Sequence, residues 1–258
     1  MNKQRPFLPY CYAVVTIACT FLVGRLILWC TPEGTKFWAS LLFILMNLLP
    51  MLVAFVFVRI SGEMTGIWDI VKAAFRPQES WRAYAAALAA PLVYYGGSSL
   101  LGNVTFTGSP FSAAIVYFPW TLLQGGLEEV GWRWYLQSHI ATKRSFALKM
   151  LVVSLIWFVW HLPLYRLPWV TAGSSNFLVF FLMILGNSFT LGAVKEWSRG
   201  AIPCILAHML IDAAAVCMLV GSDLTKVALL AGVEIALSTL AVHICARRQK
   251  RQGRVETP

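Results

Sequence analysis

Charge is scarce in this chain. Only 12% of its 258 residues are Asp, Glu, Lys or Arg, about half of what a soluble domain carries. Hydrophobic residues make up 59%, and the mean hydropathy is +0.69. A soluble globular fold is excluded, and an integral membrane protein is indicated. Acidic residues are fewest, 11 against 21 Lys and Arg. The net charge of +10 reads as basic residues left on the cytoplasmic side of a membrane, not as a nucleic-acid surface. Paired cysteines are missing too. None of the six forms a CxxC, so neither a zinc-thiolate site nor a disulfide framework is indicated. No HExxH occurs, and no internal repeat of the kind that builds paired transporter halves is visible.

Apolar runs are abundant. Eight are long enough to span a bilayer: Pro9 to Trp29, Phe37 to Val58, Ala83 to Leu101, Phe111 to Gln137, Ala147 to Leu164, Phe177 to Val194, Ala201 to Val220 and Lys226 to Ala246. Pro163 and Pro168 stop the fifth. Between the second and third lies a polar stretch, with Ile67, Trp68, Ile70 and Val71 as an interfacial face. Basic residues test the count. With the N-terminus inside, the inner segments hold Lys3, Arg5, Arg59, Lys72, Arg76, Arg82, Lys143, Arg144, Lys149, Lys195, Arg199, Arg247, Arg248, Lys250, Arg251 and Arg254. The outer segments hold Lys36, Arg166 and Lys226, and Arg25 and Arg133 lie within spans. That asymmetry predicts an all-α polytopic protein of about eight transmembrane helices, with both termini cytoplasmic. The whole chain, 1–258, reads as one membrane domain.

Polar residues inside the spans are the candidates for function. Glu128 and Glu129 close an apolar run, and Arg133 follows four residues after Glu129, on the same helical face. Glu128 has Gly125 and Gly131 three residues to either side, which predicts an open slot beside its carboxylate. His161 lies one turn after Trp157, and Pro163 frees the Val159 carbonyl. His208 and Asp212 share a helix face, where a carboxylate can fix an imidazole tautomer. Helical rise puts His161 ~18 Å in from Lys149, His208 ~14 Å in from Arg199 and Glu128 ~14 Å in from Gln137. All three approach from the cytoplasmic side to a common depth, which predicts one site. Arg25 and Glu234 are expected to form a structural ion pair between the first and last spans. Asn47 and Asn187 are expected to bond between helices, with Asn187 deep enough to reach the site.

Glu128-Glu129-xxx-Arg133, Trp157-xxx-His161 and His208-xxx-Asp212, in this order on three spans, resemble the CPBP family. These are the CAAX-protease and bacteriocin-processing intramembrane peptidases, also called Abi proteins, and the motif wording is similar to the prokaryotic branch. The resemblance covers about Phe111 to Val220, and 111–220 is expected to be the catalytic core. Trp157 stands where the family usually has phenylalanine. Trp134 follows Arg133 where it often has glycine, and should narrow the passage there. Asp212 stands in a place often held by asparagine; an ionised aspartate cannot donate to an oxyanion.

The resemblance implies hydrolysis of a peptide bond near the cytoplasmic leaflet. Glu128 would be the general base and Glu129, tied to Arg133, would support it. His161 would orient water, and His208, its ring fixed by Asp212, would face the oxyanion. Trp157, Trp160 and Asn187 are the expected substrate-side residues. A metal version is open as well: His161, His208 and Glu128 would make a His2Glu zinc set with a place for water. Family members have been described in both ways. The implied partners are membrane lipid and a peptide or lipidated protein, with no nucleic acid, in a bacterial plasma membrane. Two other classes compete. One is a non-catalytic binding or bacteriocin-immunity protein of the same fold; the other is a proton-coupled transporter using the glutamates and histidines as a relay.

Overall fold

The computed structural model describes residues 6–31, 37–140, 145–167 and 176–251. Helices α1 (Leu8–Cys30) and α2 (Phe37–Ser61) pack against each other. A short helix, α3 (Ile67–Ala74), leads to α4 (Trp81–Pro91). The rod of α4 continues through a π-helical turn, Leu92–Gly96, to Leu100. Helix α5 (Phe111–Thr121) continues through two π-helical stretches, Leu122–Gly126 and Val130–Gln137. Then come α6 (Phe146–His161), α7 (Phe177–Glu196), α8 (Ile202–Ala214) and α9 (Leu224–Arg251). Among the described residues, five helices are long and apolar enough to cross a membrane: α1, α2, α6 with its 3-10 extension to Arg166, α7 and α9. The protein is an all-α polytopic membrane protein.

Local chemistry sets the helix ends. Ser80, Ser145 and Asn176 cap α4, α6 and α7, their side-chain oxygens accepting from Ala83, Leu148 and Leu178 amides. Pro91 and Pro119 lie near the ends of α4 and α5, and each is followed by a π-helical turn ending in glycine. A proline removes one helical donor and crowds the preceding turn, and a widened turn is one way the backbone absorbs this.

Four expectations change here. The seventh run is not one long helix. It ends at Ala214, and Met218–Val220 forms a strand paired antiparallel with Val104–Phe106, which lies between the third and fourth apolar runs. Arg25 is exposed and makes no ion pair with Glu234 among the described residues. Glu234 on α9 instead lies against α7, where Thr190 Oγ1 donates to its Oε1 at 3.3 Å and Gly186 leaves room for Oε2. Both residues fall in the outer halves of their runs by helical rise, but α9 packs its Glu234 face on α7. Asn47 bonds within its own helix, to the Phe43 carbonyl at 2.7 Å. In α3, Ile70 is buried while Ile67 and Trp68 face outward, so only part of the expected face is interfacial. Lys3, Arg5, Lys36, Lys143, Arg144, Arg254 and Pro168 lie outside the described residues.

The core sits where α1, α2, α5 and α6 meet. Tyr12, Trp132 and Trp160 stack edge to face in a row, with centroids 5.9 and 5.7 Å apart. Their polar atoms are bonded within the protein: Tyr12 Oη donates to the Pro50 carbonyl at 3.1 Å, and Trp160 Nε1 to Thr20 Oγ1 at 2.9 Å. This aromatic column fixes the second π-helical stretch of α5 from behind, and the carboxylates lie just before that stretch.

Candidate active site

The three motifs meet. Glu129 is fully buried and both its oxygens are engaged. Arg133 Nε donates to Oε2 at 2.9 Å, and His208 Nδ1 lies 2.9 Å from Oε1. The first contact is the ion pair expected from the spacing. The second joins α5 to α8, 79 residues apart, and no local pattern encodes it. The Arg133 guanidinium also lies over the Trp157 ring, 5.1 Å from its centroid.

Glu128 is buried as well but forms no ion pair among the described residues. Its Oε2 accepts from two indoles, Trp132 Nε1 at 3.4 Å and Trp157 Nε1 at 3.3 Å. Neither contact is short, and Oε1 accepts no hydrogen bond among the described residues. Trp132 escaped the sequence reading. Its signal was present, because it lies four residues after Glu128 and shares that face.

The glycines flanking Glu128 do not leave an open slot. A Cβ on Gly125 would meet the Asp212 and His208 side chains, and one on Gly131 would meet the Pro50 backbone and Tyr12 Oη. Both glycines serve close helix packing, the first against α8 and the second against α1 and α2. The space available lies elsewhere. A cavity of about 230 Å³ opens between α4, α6, α7 and α8, with Trp157, His161, Asn187, His208 and Asp212 in its wall.

His161 Nδ1 lies 2.7 Å from the Trp157 carbonyl oxygen. A carbonyl only accepts, so Nδ1 carries the proton and Nε2 is left as an acceptor. His208 packs edge to face on Trp157, 5.6 Å between centroids. Its Nε2 is 3.7 Å from Asp212 Oδ2, beyond a hydrogen bond. The ring is held by Glu129, not by Asp212 as expected. The sequence put His208 and Asp212 one turn apart, but the opposing helix supplies a carboxylate that comes closer.

Two expected substrate-side residues fall on the cavity wall, Trp157 and Asn187. Asn187 Oδ1 is buried there without a partner among the described residues. Trp160 is a correction: it is fully buried in the aromatic column and takes no part in the wall. Trp134 is half-buried in the apolar packing and also stays clear of this cavity. The zinc set does not fit. Among the described residues no three His, Cys, Asp or Glu side chains lie close enough to hold a metal. Glu128 is turned to two indoles and His161 Nδ1 to a carbonyl.

No curated protein matches the chain. Residues 110–214 match the family model described as type II CAAX prenyl endopeptidase Rce1-like. The matched stretch contains all three motifs and every contact between them. Over residues 110–214, less than half of its length, the chain matches the Rce1-like family, in agreement with the CPBP resemblance of its three motifs.

Proposed function

We propose that this protein cleaves a peptide bond of a membrane-associated substrate near the cytoplasmic leaflet, with Glu128 as general base and 111–220 as the catalytic core. The carrying observation is the unequal treatment of two adjacent carboxylates. Glu129 is committed through both oxygens to Arg133 and His208. Glu128 keeps Oε1 without a hydrogen bond among the described residues. A general base needs such an uncommitted oxygen within reach of water.

In this reading Glu128 takes a proton from water, and the hydroxide adds to the scissile carbonyl. The same proton then passes to the leaving amine as the C–N bond breaks. His161, with Nε2 free to accept, orients the water. His208 faces the developing oxyanion, its ring set by Glu129. Asp212, Asn187 and Trp157 shape the cavity, whose 230 Å³ suits a short extended segment and not a folded domain. The matched family is one of CAAX prenyl endopeptidases, so a lipidated C-terminus is the first substrate class to try.

The test pairs Glu128→Gln with Glu129→Gln in the purified protein, using an internally quenched CAAX peptide with and without a farnesyl group. Glu128→Gln should lose roughly 10²–10⁴-fold in turnover, the usual weight of a general base, with its melting temperature nearly unchanged. Glu129→Gln should lose both activity and stability, because it weakens two buried partners at once. Wild-type turnover by Glu128→Gln would overturn the assignment.

A further inference from the structure

A second pocket lies away from the candidate site, at the end of the bundle that the basic residues mark as cytoplasmic. It has a volume of about 530 Å³ and is walled by the start of α4, the α7–α8 connection and the last turns of α9. Three arginines line it: Arg82, Arg199 and Arg248. They come from positions far apart in the chain, and no pairing pattern in the sequence joins them.

Two carboxylates share the wall, Glu79 and Glu196, but each is already used by the fold. Glu79 accepts from the Arg199 amide at 2.9 Å and the Gly200 amide at 2.6 Å. Glu196 Oε1 accepts from Gln137 Nε2 at 3.0 Å. None of the three arginines forms an ion pair among the described residues. Arg82 goes further: its Nε is buried with no hydrogen-bond partner. A buried charged donor left unmatched costs free energy that an anion would recover. Arginine is also the side chain whose planar fork best fits phosphate.

We propose that this pocket binds the phosphate headgroup of an anionic phospholipid. Its position favours a lipid over a soluble phosphate. Trp81, beside Arg82, is 72% exposed, and the Arg82 guanidinium lies 5.4 Å from its ring centroid. An exposed tryptophan next to an arginine at a helix start is the composition of the membrane–water interface. Basic residues on the cytoplasmic face meet the anionic leaflet there. A bound headgroup would bridge α4, the α7–α8 connection and α9. The clamp would be transmitted to the candidate site through Gln137, which bonds both Glu196 and the Gly192 carbonyl.

The experiment measures thermal stability of the full chain in detergent, titrated with short-chain phosphatidylglycerol or short-chain phosphatidylcholine. Inorganic phosphate and glycerol 3-phosphate are titrated in parallel. The expected result is a saturable rise in melting temperature with phosphatidylglycerol alone. In Arg82→Gln/Arg248→Gln the apparent affinity should fall by about tenfold or more, the equivalent of one charge-assisted contact. The variant Lys72→Gln/Arg247→Gln removes the same charge from exposed positions outside the pocket, and should keep the wild-type response. Equal loss in both double variants would reduce the effect to general surface charge and overturn the pocket. Equal stabilisation by inorganic phosphate would overturn the lipid assignment, and so would an unchanged response of Arg82→Gln/Arg248→Gln.

Discussion

His208 shows how much one side-chain contact changes the reading of a site. From sequence its natural partner is Asp212, one turn away. In the fold, Nδ1 is 2.9 Å from Glu129 and Nε2 is 3.7 Å from Asp212. The two acids should respond differently to amidation. Asp212→Asn removes a charge that makes no hydrogen bond to the ring, so turnover should stay within about tenfold of wild type and folding should be unaffected. Glu129→Gln removes the acceptor that orients the ring, and a hydrogen bond to a charged group is worth about 1.5–3 kcal/mol. Cleavage rates and melting curves for the two variants check the order. If Asp212→Asn were as inactive as Glu128→Gln, Asp212 would have to be placed in the chemistry itself. The motif residues were legible because intramembrane charge is costly enough to need a reason. Their pairing was not, because Glu129–His208 and Trp157–Glu128 join different helices and depend on how α5, α6 and α8 rotate about their axes.

At the scale of elements, hydropathy found each apolar run but treated it as regular helix. Three π-helical stretches interrupt the rods of α4 and α5, and two of these bracket Leu127 to Glu129. Widened turns of this kind concentrate at functional sites, and composition does not reveal them because apolar content is the same in either geometry. The glycines here were legible as exceptions but were given the wrong cause. At Gly131 an added Cβ would lie 2.5 Å from the Pro50 carbonyl oxygen. That neighbour is backbone and cannot swing aside. Gly131→Ala should force α5 away from α2 and cost about 1–3 kcal/mol, the usual range for overpacking. It should also displace Glu128 and lower turnover. Gly232→Ala on α9 meets nothing within 4 Å and is the matched control. Melting temperatures of the two variants in one detergent compare them directly. Equal stability would mean that the α5–α2 contact yields more easily than its backbone neighbour implies.

Across the whole molecule, contacts between distant segment ends sort those ends into two groups. At one end Glu63, just after α2, meets His139 after α5 at 3.0 Å, and Glu79, before α4, holds the amides of Arg199 and Gly200 between α7 and α8. At the other, the strand Val104–Phe106 pairs with Met218–Val220, and Lys226 Nζ donates to the Gly102 carbonyl at 2.9 Å. The first group consists of segments that the charge count places inside; the second consists of segments that it places outside. Charge asymmetry and tertiary contact are independent observations, one from composition and the other from packing. We propose an even number of crossings on both grounds, with the helices of the interrupted rods and α8 counted beside the five long ones. Reporter fusions placed after Arg59 and after the C-terminal residue should both read cytoplasmic, and one placed in the 107–110 loop should read external. Reversing the bias should weaken that orientation: exchanging Arg59, Lys72 and Arg76 for glutamine together removes three of the inner charges, and a mixed reporter signal is expected. A C-terminal fusion that reads external would leave an odd number of crossings. It would also put Arg248 on the opposite side from Arg82, which the shared pocket between them does not allow.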